Sequence, residues 1–221
     1  MNRRTFLLGT GAALAAPLAI PARSALAQQV TITGAGATFP RPLYERWAQE
    51  AREAIGVLLN YQSIGSGGGI NQITARTVDF GASDAPLTAA QLTERNLLQF
   101  PTVMGSVVLS ANLPGVADNA LRLTPDVITA IFLGRITRWN DSRIAELNRD
   151  IRIPNLPLSV AYRADGSGTT WVWTTYLSRI STEWRDGPGA GTSVRWPVGN
   201  GARGNEGVSN IIRNTPGTIG Y

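Results

Sequence analysis

Arg163-Ala164-Asp165-Gly166-Ser167-Gly168-Thr169-Thr170 joins the β-prone run Leu158-Ser159-Val160-Ala161-Tyr162 to a helical pattern that carries Trp173, Tyr176, Leu177 and Ile180. A strand, a turn rich in glycine and hydroxyls, and a helix in that order form the unit of an α/β fold. Glycine lets the backbone approach a ligand and take the positive φ that gathers N–H groups into one concavity. The helix that follows adds its unpaired first N–H groups and the positive end of its dipole. Taken alone, the same turn is also how an ordinary capped helix begins.

The pattern recurs on the N-terminal side. Val30-Thr31-Ile32-Thr33 reads as a strand ahead of Ala37-Thr38-Phe39, and a helix with Leu43, Trp47, Ala51 and Ile55 on one face follows from Pro42. Residues 57–61 read as the next strand, and Ile64-Gly65-Ser66-Gly67-Gly68 leads into a short helix. Val78-Asp79-Phe80-Gly81-Ala82-Ser83-Asp84 is strand then turn, with a helix opening at Pro86. The run 100–110 is β-prone and predicts a crossing strand, and Thr124-Pro125-Asp126 predicts a helix start. Trp139-Asn140-Asp141 caps a further helix to Asn148, residues 186–207 form a glycine- and proline-rich loop, and a last helix covers 208–213. Three loops of one chemistry, none with catalytic apparatus beside it, point to capture of an anion.

Two charged elements sharpen this. Arg163 stands two residues before Asp165, and a guanidinium meets two oxygens of a phosphate or carboxylate at once. Asp165 would then orient Arg163 and leave the anion to it; the plainer alternative is a surface ion pair beside a turn. Asp84 ends its turn just ahead of Pro86, where the plainer role is a helix cap.

Composition closes most other chemistry. The chain has no Cys and no His, and all 20 of its basic residues are Arg. Disulfides, thiolate chemistry, His-based metal sites, Ser-His-Asp triads, Lys nucleophiles and the Lys of a Walker loop are thereby excluded. Residues 1–27 read as a secretory leader of twin-arginine type. Arg3-Arg4 precede an apolar run from Phe6 to Ile20, and Ala25-Leu26-Ala27 suits cleavage. Gly9, Gly11 and Pro17 argue against the alternative, a membrane anchor. Without Arg3, Arg4 and Arg23 the rest carries 17 Arg against 15 acidic residues, a net +2. That is too weak a balance for a nucleic-acid partner.

With these stretches in hand, the chain resembles the periplasmic phosphate-binding proteins of bacterial high-affinity phosphate ABC transporters. The resemblance runs in order through residues 34–40, 61–69, 79–87, 131–141, 163–170 and Gly204-Asn205-Glu206-Gly207 to Tyr221. It implies a two-lobed α/β binding protein with a hinge, lobe one at 28–106 and lobe two at 107–221. It also implies that Thr38, Phe39, Ser66, Asp84, Arg163, Ser167, Gly168 and Thr169 surround inorganic phosphate, with Asp165 behind the arginine. Neither metal nor cofactor is implied, and no catalysis. The expected partner is an ABC permease of two inner-membrane subunits with a cytoplasmic ATPase. Chains of this family continue past the point where this sequence stops, so the first lobe is expected to be incomplete.

Two rival readings remain at this level. One keeps the class and changes the oxyanion to arsenate, sulfate or molybdate. The other is a phosphoryl-transfer or dinucleotide enzyme built on Gly65-Ser66-Gly67-Gly68-Gly69. Against it, Ile70 stands where the last glycine of the dinucleotide spacing belongs.

Overall fold

The computed structural model describes residues 30–221, so the leader at 1–27 lies outside the described residues. Seven strands and eight helices alternate in them, as the sequence pattern expects of an α/β chain. No helix of the described residues is long and apolar enough to cross a membrane.

The first sheet holds β1 (Thr31–Gly36), β2 (Leu58–Ser63) and β3 (Phe80–Ala82) in the order β2-β1-β3. All are parallel, with Thr31 opposite Leu58 and Gly34 opposite Phe80. Helix α1 (Arg41–Ile55) has proline in its first turn and stops at Gly56, whose φ of 66° lets its N–H reach the Arg52 carbonyl. Helix α2 (Ser66–Thr74) follows β2, and α3 (Ala89–Arg95) follows β3. The sequence predicts that α3 opens at Pro86. It begins three residues later, because Thr88 and Gln91 form a reciprocal capping box. Packing here is modest: buried Ala37, Tyr44 and Ala82 meet Leu59, Tyr61 and Phe80.

The second sheet holds β4 (Ser110–Ala111), β5 (Ser159–Arg163), β6 (Asn200–Ala202) and β7 (Thr218–Gly220) in the order β4-β7-β5-β6. β5 runs parallel to both neighbours, and β4 is antiparallel to β7. Around it lie α4 (Pro125–Phe132), α5 (Ser142–Leu147), α6 (Gly168–Ile180), α7 (Thr182–Asp186) and α8 (Gly204–Asn214). Most of the apolar core sits here, with Ile131, Phe132, Trp139, Ile144, Leu177, Trp184 and Ile219 buried together. Trp139 Nε1–H donates to the Gly217 carbonyl at 2.8 Å, so even this indole's polar atom is satisfied.

The crossing strand predicted over 100–110 does not form; only Ser110 and Ala111 pair. Among the described residues no strand lies beside 101–109 to share a ladder. Val107 and Leu109 pack on the core, while Met104 is 95% exposed. The predicted loop 186–207 also contains β6 and the first turn of α8. Leu177 is fully buried in that second core. Leu177→Ala is expected to lower unfolding free energy by about 2–5 kcal/mol, read by urea denaturation. A loss under about 0.5 kcal/mol, typical of surface sites, would contradict this packing.

Candidate functional site

The turns after β1, β2 and β3 converge on the turn after β5 and the start of α8. At their centre Arg163, at the end of β5, is only 3% exposed. A buried guanidinium must be neutralised and hydrogen-bonded, and here it is both. Its Nε–H donates to Asp165 Oδ1 at 2.7 Å and its Nη2–H to Asp165 Oδ2 at 2.5 Å. Nη1–H groups donate to Thr38 Oγ1 at 3.1 Å and to Asn205 Oδ1 at 2.6 Å. Arg163 is therefore no surface ion pair. Burial alone would raise the Asp165 carboxyl. The hydrogen bonds and charge of Arg163, with the N–H of Gly204, outweigh it and hold Asp165 below its ordinary value.

The second carboxylate behaves in the opposite way. Burial pushes Asp84 up, and the Thr169 hydroxyl and the Arg163 charge only partly offset it. Thr169 Oγ1–H donates to Asp84 Oδ2 at 3.1 Å, and the Asp84 N–H donates to Ser66 Oγ at 3.3 Å. Thr88, not Asp84, caps α3. The plainer role for Asp84 is thereby removed, and a half-buried acid stands beside the buried arginine.

Glycine makes the approach of these turns possible. The Gly67 N–H donates to the Gly166 carbonyl at 2.9 Å, across the seam between the two sets of turns. Gly65 has a φ of 86°, and a Cβ there would lie 2.6 Å from Asp165 Oδ2. A Cβ on Gly168 would lie 2.6 Å from both Asp84 Cβ and Ser66 Oγ. Gly168→Ala is accordingly expected to force the turns apart and to weaken any ligand held between them by about tenfold or more, the scale of a lost hydrogen bond to a charged group. Titration of the variant reads this, and unchanged affinity would mean that the turns do not close on the ligand.

Among the described residues, the backbone N–H groups of Phe39, Ser66, Gly68 and Gly168 donate to no protein acceptor. Three of the four stand at the starts of α2 and α6. Such groups, with a helix dipole behind them, favour an anion. The arrangement offers one neutralised arginine, a raised carboxyl, hydroxyls and N–H donors. No group of three or more His, Cys, Asp or Glu residues suited to a metal exists among the described residues.

Of the residues singled out in the sequence, Thr38, Ser66, Asp84, Arg163, Gly168 and Thr169 come together, with Asp165 behind Arg163. Ser167 is fully buried, but its hydroxyl accepts the Thr170 N–H and caps α6. The Phe39 ring lies towards Gly105, and only its N–H belongs to the donor set. Two partners were missed. Asn205 accepts from Arg163, and its own N–H reaches Thr38 Oγ1 at 3.4 Å. Tyr221 OH accepts the Arg163 N–H at 3.1 Å and lies 2.6 Å from Thr170 Oγ1. Both lie in resembling stretches, but nothing local in those stretches points at Arg163.

Residues 22–221 match the model of a PBP superfamily domain. The chain is 50% identical over 194 residues to the phosphate-binding protein PstS of Pasteurella multocida (strain Pm70), covering 88% of this chain and 56% of that protein. It is 45% identical over 212 residues to PstS of Xylella fastidiosa (strain Temecula1 / ATCC 700964), covering 96% of this chain and 58% of that one. The chain thus spans a little over half the length of these relatives. In fold it is similar to PfluDING, a high affinity periplasmic phosphate-binding protein bound with phosphate, at a TM-score of 0.57 and 22% identity over 87% of this chain and 56% of that one. The family match runs through both sheets and every turn of the cluster, and the chain belongs to the PBP superfamily.

Proposed function

We propose that the chain captures inorganic phosphate outside the cytoplasm, in a cleft between a lobe at 28–106 and a lobe at 107–221, and does no chemistry on it. The observation that carries this reading is that buried Arg163, already neutralised by Asp165, shares the cluster with a second carboxyl, Asp84, which accepts from the Thr169 hydroxyl. A fully ionised oxyanion meets net repulsion from such a set. One that still bears an O–H can donate it to Asp84 while Arg163, Ser66, Thr38, Thr169 and the N–H groups of Phe39 and Gly168 receive its other oxygens. Phosphate near neutral pH is such an anion. The names of the PstS relatives support the ligand, and the division of the strands into two sheets supports the lobes.

The same reading extends to transport. Phosphate would be held in the periplasm, after a twin-arginine leader at 1–27 is removed, and handed to an ABC permease of two inner-membrane subunits driven by a cytoplasmic ATPase. Opening and closing of the lobes about a hinge would report loading. Calorimetric titration of the full-length gene product tests the capture step. One phosphate per chain with much weaker sulfate heats is expected. Equal heats for both anions, or turnover of a phosphate ester, would overturn it.

A further inference from the structure

The first turn of α8 reaches three members of the site at once. The Gly204 N–H donates to Asp165 Oδ1 at 3.2 Å, Asn205 Oδ1 accepts from Arg163 Nη1 at 2.6 Å, and the Asn205 N–H reaches Thr38 Oγ1 at 3.4 Å. One residue further on, Glu206 pairs with Arg41 at 3.2 Å. Thr38 and Arg41 follow β1, whereas Asn205 and Arg163 belong to the second sheet's half of the chain. The contacts therefore span the seam across which phosphate is proposed to sit. Asp165 holds one edge of the Arg163 guanidinium, through Nε and Nη2, and that alone leaves the plane free to tilt about the shared edge. Asn205 holds the far nitrogen, Nη1, at 2.6 Å, with Thr38 Oγ1 as its second and longer partner at 3.1 Å.

We propose that Asn205 is a positioning residue for Arg163: it fixes the guanidinium plane and ties it to Thr38, and it does so as a neutral acceptor. This inference rests on the phosphate reading given above. The amide is the informative part. An amide oxygen can accept at the position where a carboxylate oxygen would, and it adds no charge. The charged and titratable groups around it are Arg163, Asp165, Glu206 and Arg41, with Asp84 beyond Arg163. Asp165 already cancels Arg163, so a third carboxylate would make the site repel the anion that Arg163 is placed to receive. An aspartate of the same shape would keep the hydrogen bond and lose the ligand.

Two measurements on the full-length gene product test this. The first needs no phosphate: nuclear magnetic resonance of the Arg163 side chain, following rotation about its Cζ–Nη bonds. Slow rotation is expected in the wild type and in Asn205→Asp, and faster rotation in Asn205→Ala. The second is calorimetric titration with inorganic phosphate from pH 5 to pH 8. Asn205→Ala is expected to bind about tenfold more weakly at every pH, as loss of a hydrogen bond to a charged group implies. Asn205→Asp is expected to bind more weakly still at pH 8 and to recover towards pH 5 as its new carboxyl is protonated. Full binding by Asn205→Asp at pH 8, or unchanged Arg163 rotation in Asn205→Ala, overturns the inference. Slow wild-type rotation that Asn205→Ala frees, without phosphate binding by the wild type, overturns the phosphate reading and leaves the positioning of Arg163 standing.

Discussion

An Arg163→Ala protein is expected to bind phosphate about 10–100-fold more weakly than the wild type, whereas Ser66→Ala and Thr169→Ala lose about 2–10-fold each. The difference follows from charge. Every donor here would meet an anion, but Arg163 also brings a full positive charge, which a hydroxyl lacks, and each 1.4 kcal/mol is about tenfold in affinity. Arg163 supplies the one cation hydrogen-bonded within the cluster. Its removal also strands Asp165, whose side chain is only 12% exposed, so the single variant is expected to be less stable. Adding Asp165→Ala removes the stranded charge and is expected to recover the melting temperature without recovering phosphate binding. Titration calorimetry beside thermal melting separates the two effects. Losses equal across Arg163→Ala, Ser66→Ala and Thr169→Ala would show that the guanidinium only holds the turn together.

Asp84→Asn is expected to change selectivity more than affinity. On the proposed reading the wild-type carboxyl would accept an O–H of phosphate, while sulfate has none to donate and would put two like charges in contact. The asparagine can donate as well as accept, so phosphate binding should survive in part and sulfate should gain measurable affinity. Arsenate is protonated as phosphate is, and both proteins should take it. The same substitution bears on stability without ligand. Burial raises the Asp84 carboxyl, so the folded chain keeps that proton to higher pH than the unfolded chain does. Ionising it therefore costs stability as pH rises above the ordinary carboxylate value, and Asp84→Asn should melt higher than the wild type at neutral pH. Asp165 has the reverse sign: its lowered carboxyl stabilises the fold above the ordinary value, and that share is lost as acid protonates it. An Asp84→Asn protein that excludes sulfate as firmly as the wild type would place selectivity elsewhere.

The local code was legible where local physics decides. Pro42 opens α1 and Asp141 caps α5, each through contacts within a few residues. The glycine-rich turns were legible for the same reason, and they carry most of the site. What escaped is non-local. Asn205 and Tyr221 meet Arg163 from 42 and 58 residues away, and Thr38 meets it from 125 away, with no periodicity to announce any of them. The strand expected over 100–110 failed because β-propensity describes a residue's fitness for a sheet and supplies no neighbour to pair with. Conversely, Asn200–Ala202 and Thr218–Gly220 pair with β5 although they are short and glycine-containing, since β5 offers them both of its edges.

A tetrahedral oxyanion is proposed to sit where the turns after β1, β2, β3 and β5 meet. Anomalous diffraction from crystals of the full-length gene product grown with arsenate tests this, because arsenic marks its own position. One strong peak per chain is expected, placed so that the oxygens around it reach Arg163, Asp84 and the N–H groups of Phe39 and Gly168 by hydrogen bonds. A peak elsewhere, or none at arsenate concentrations that saturate binding in solution, would contradict it.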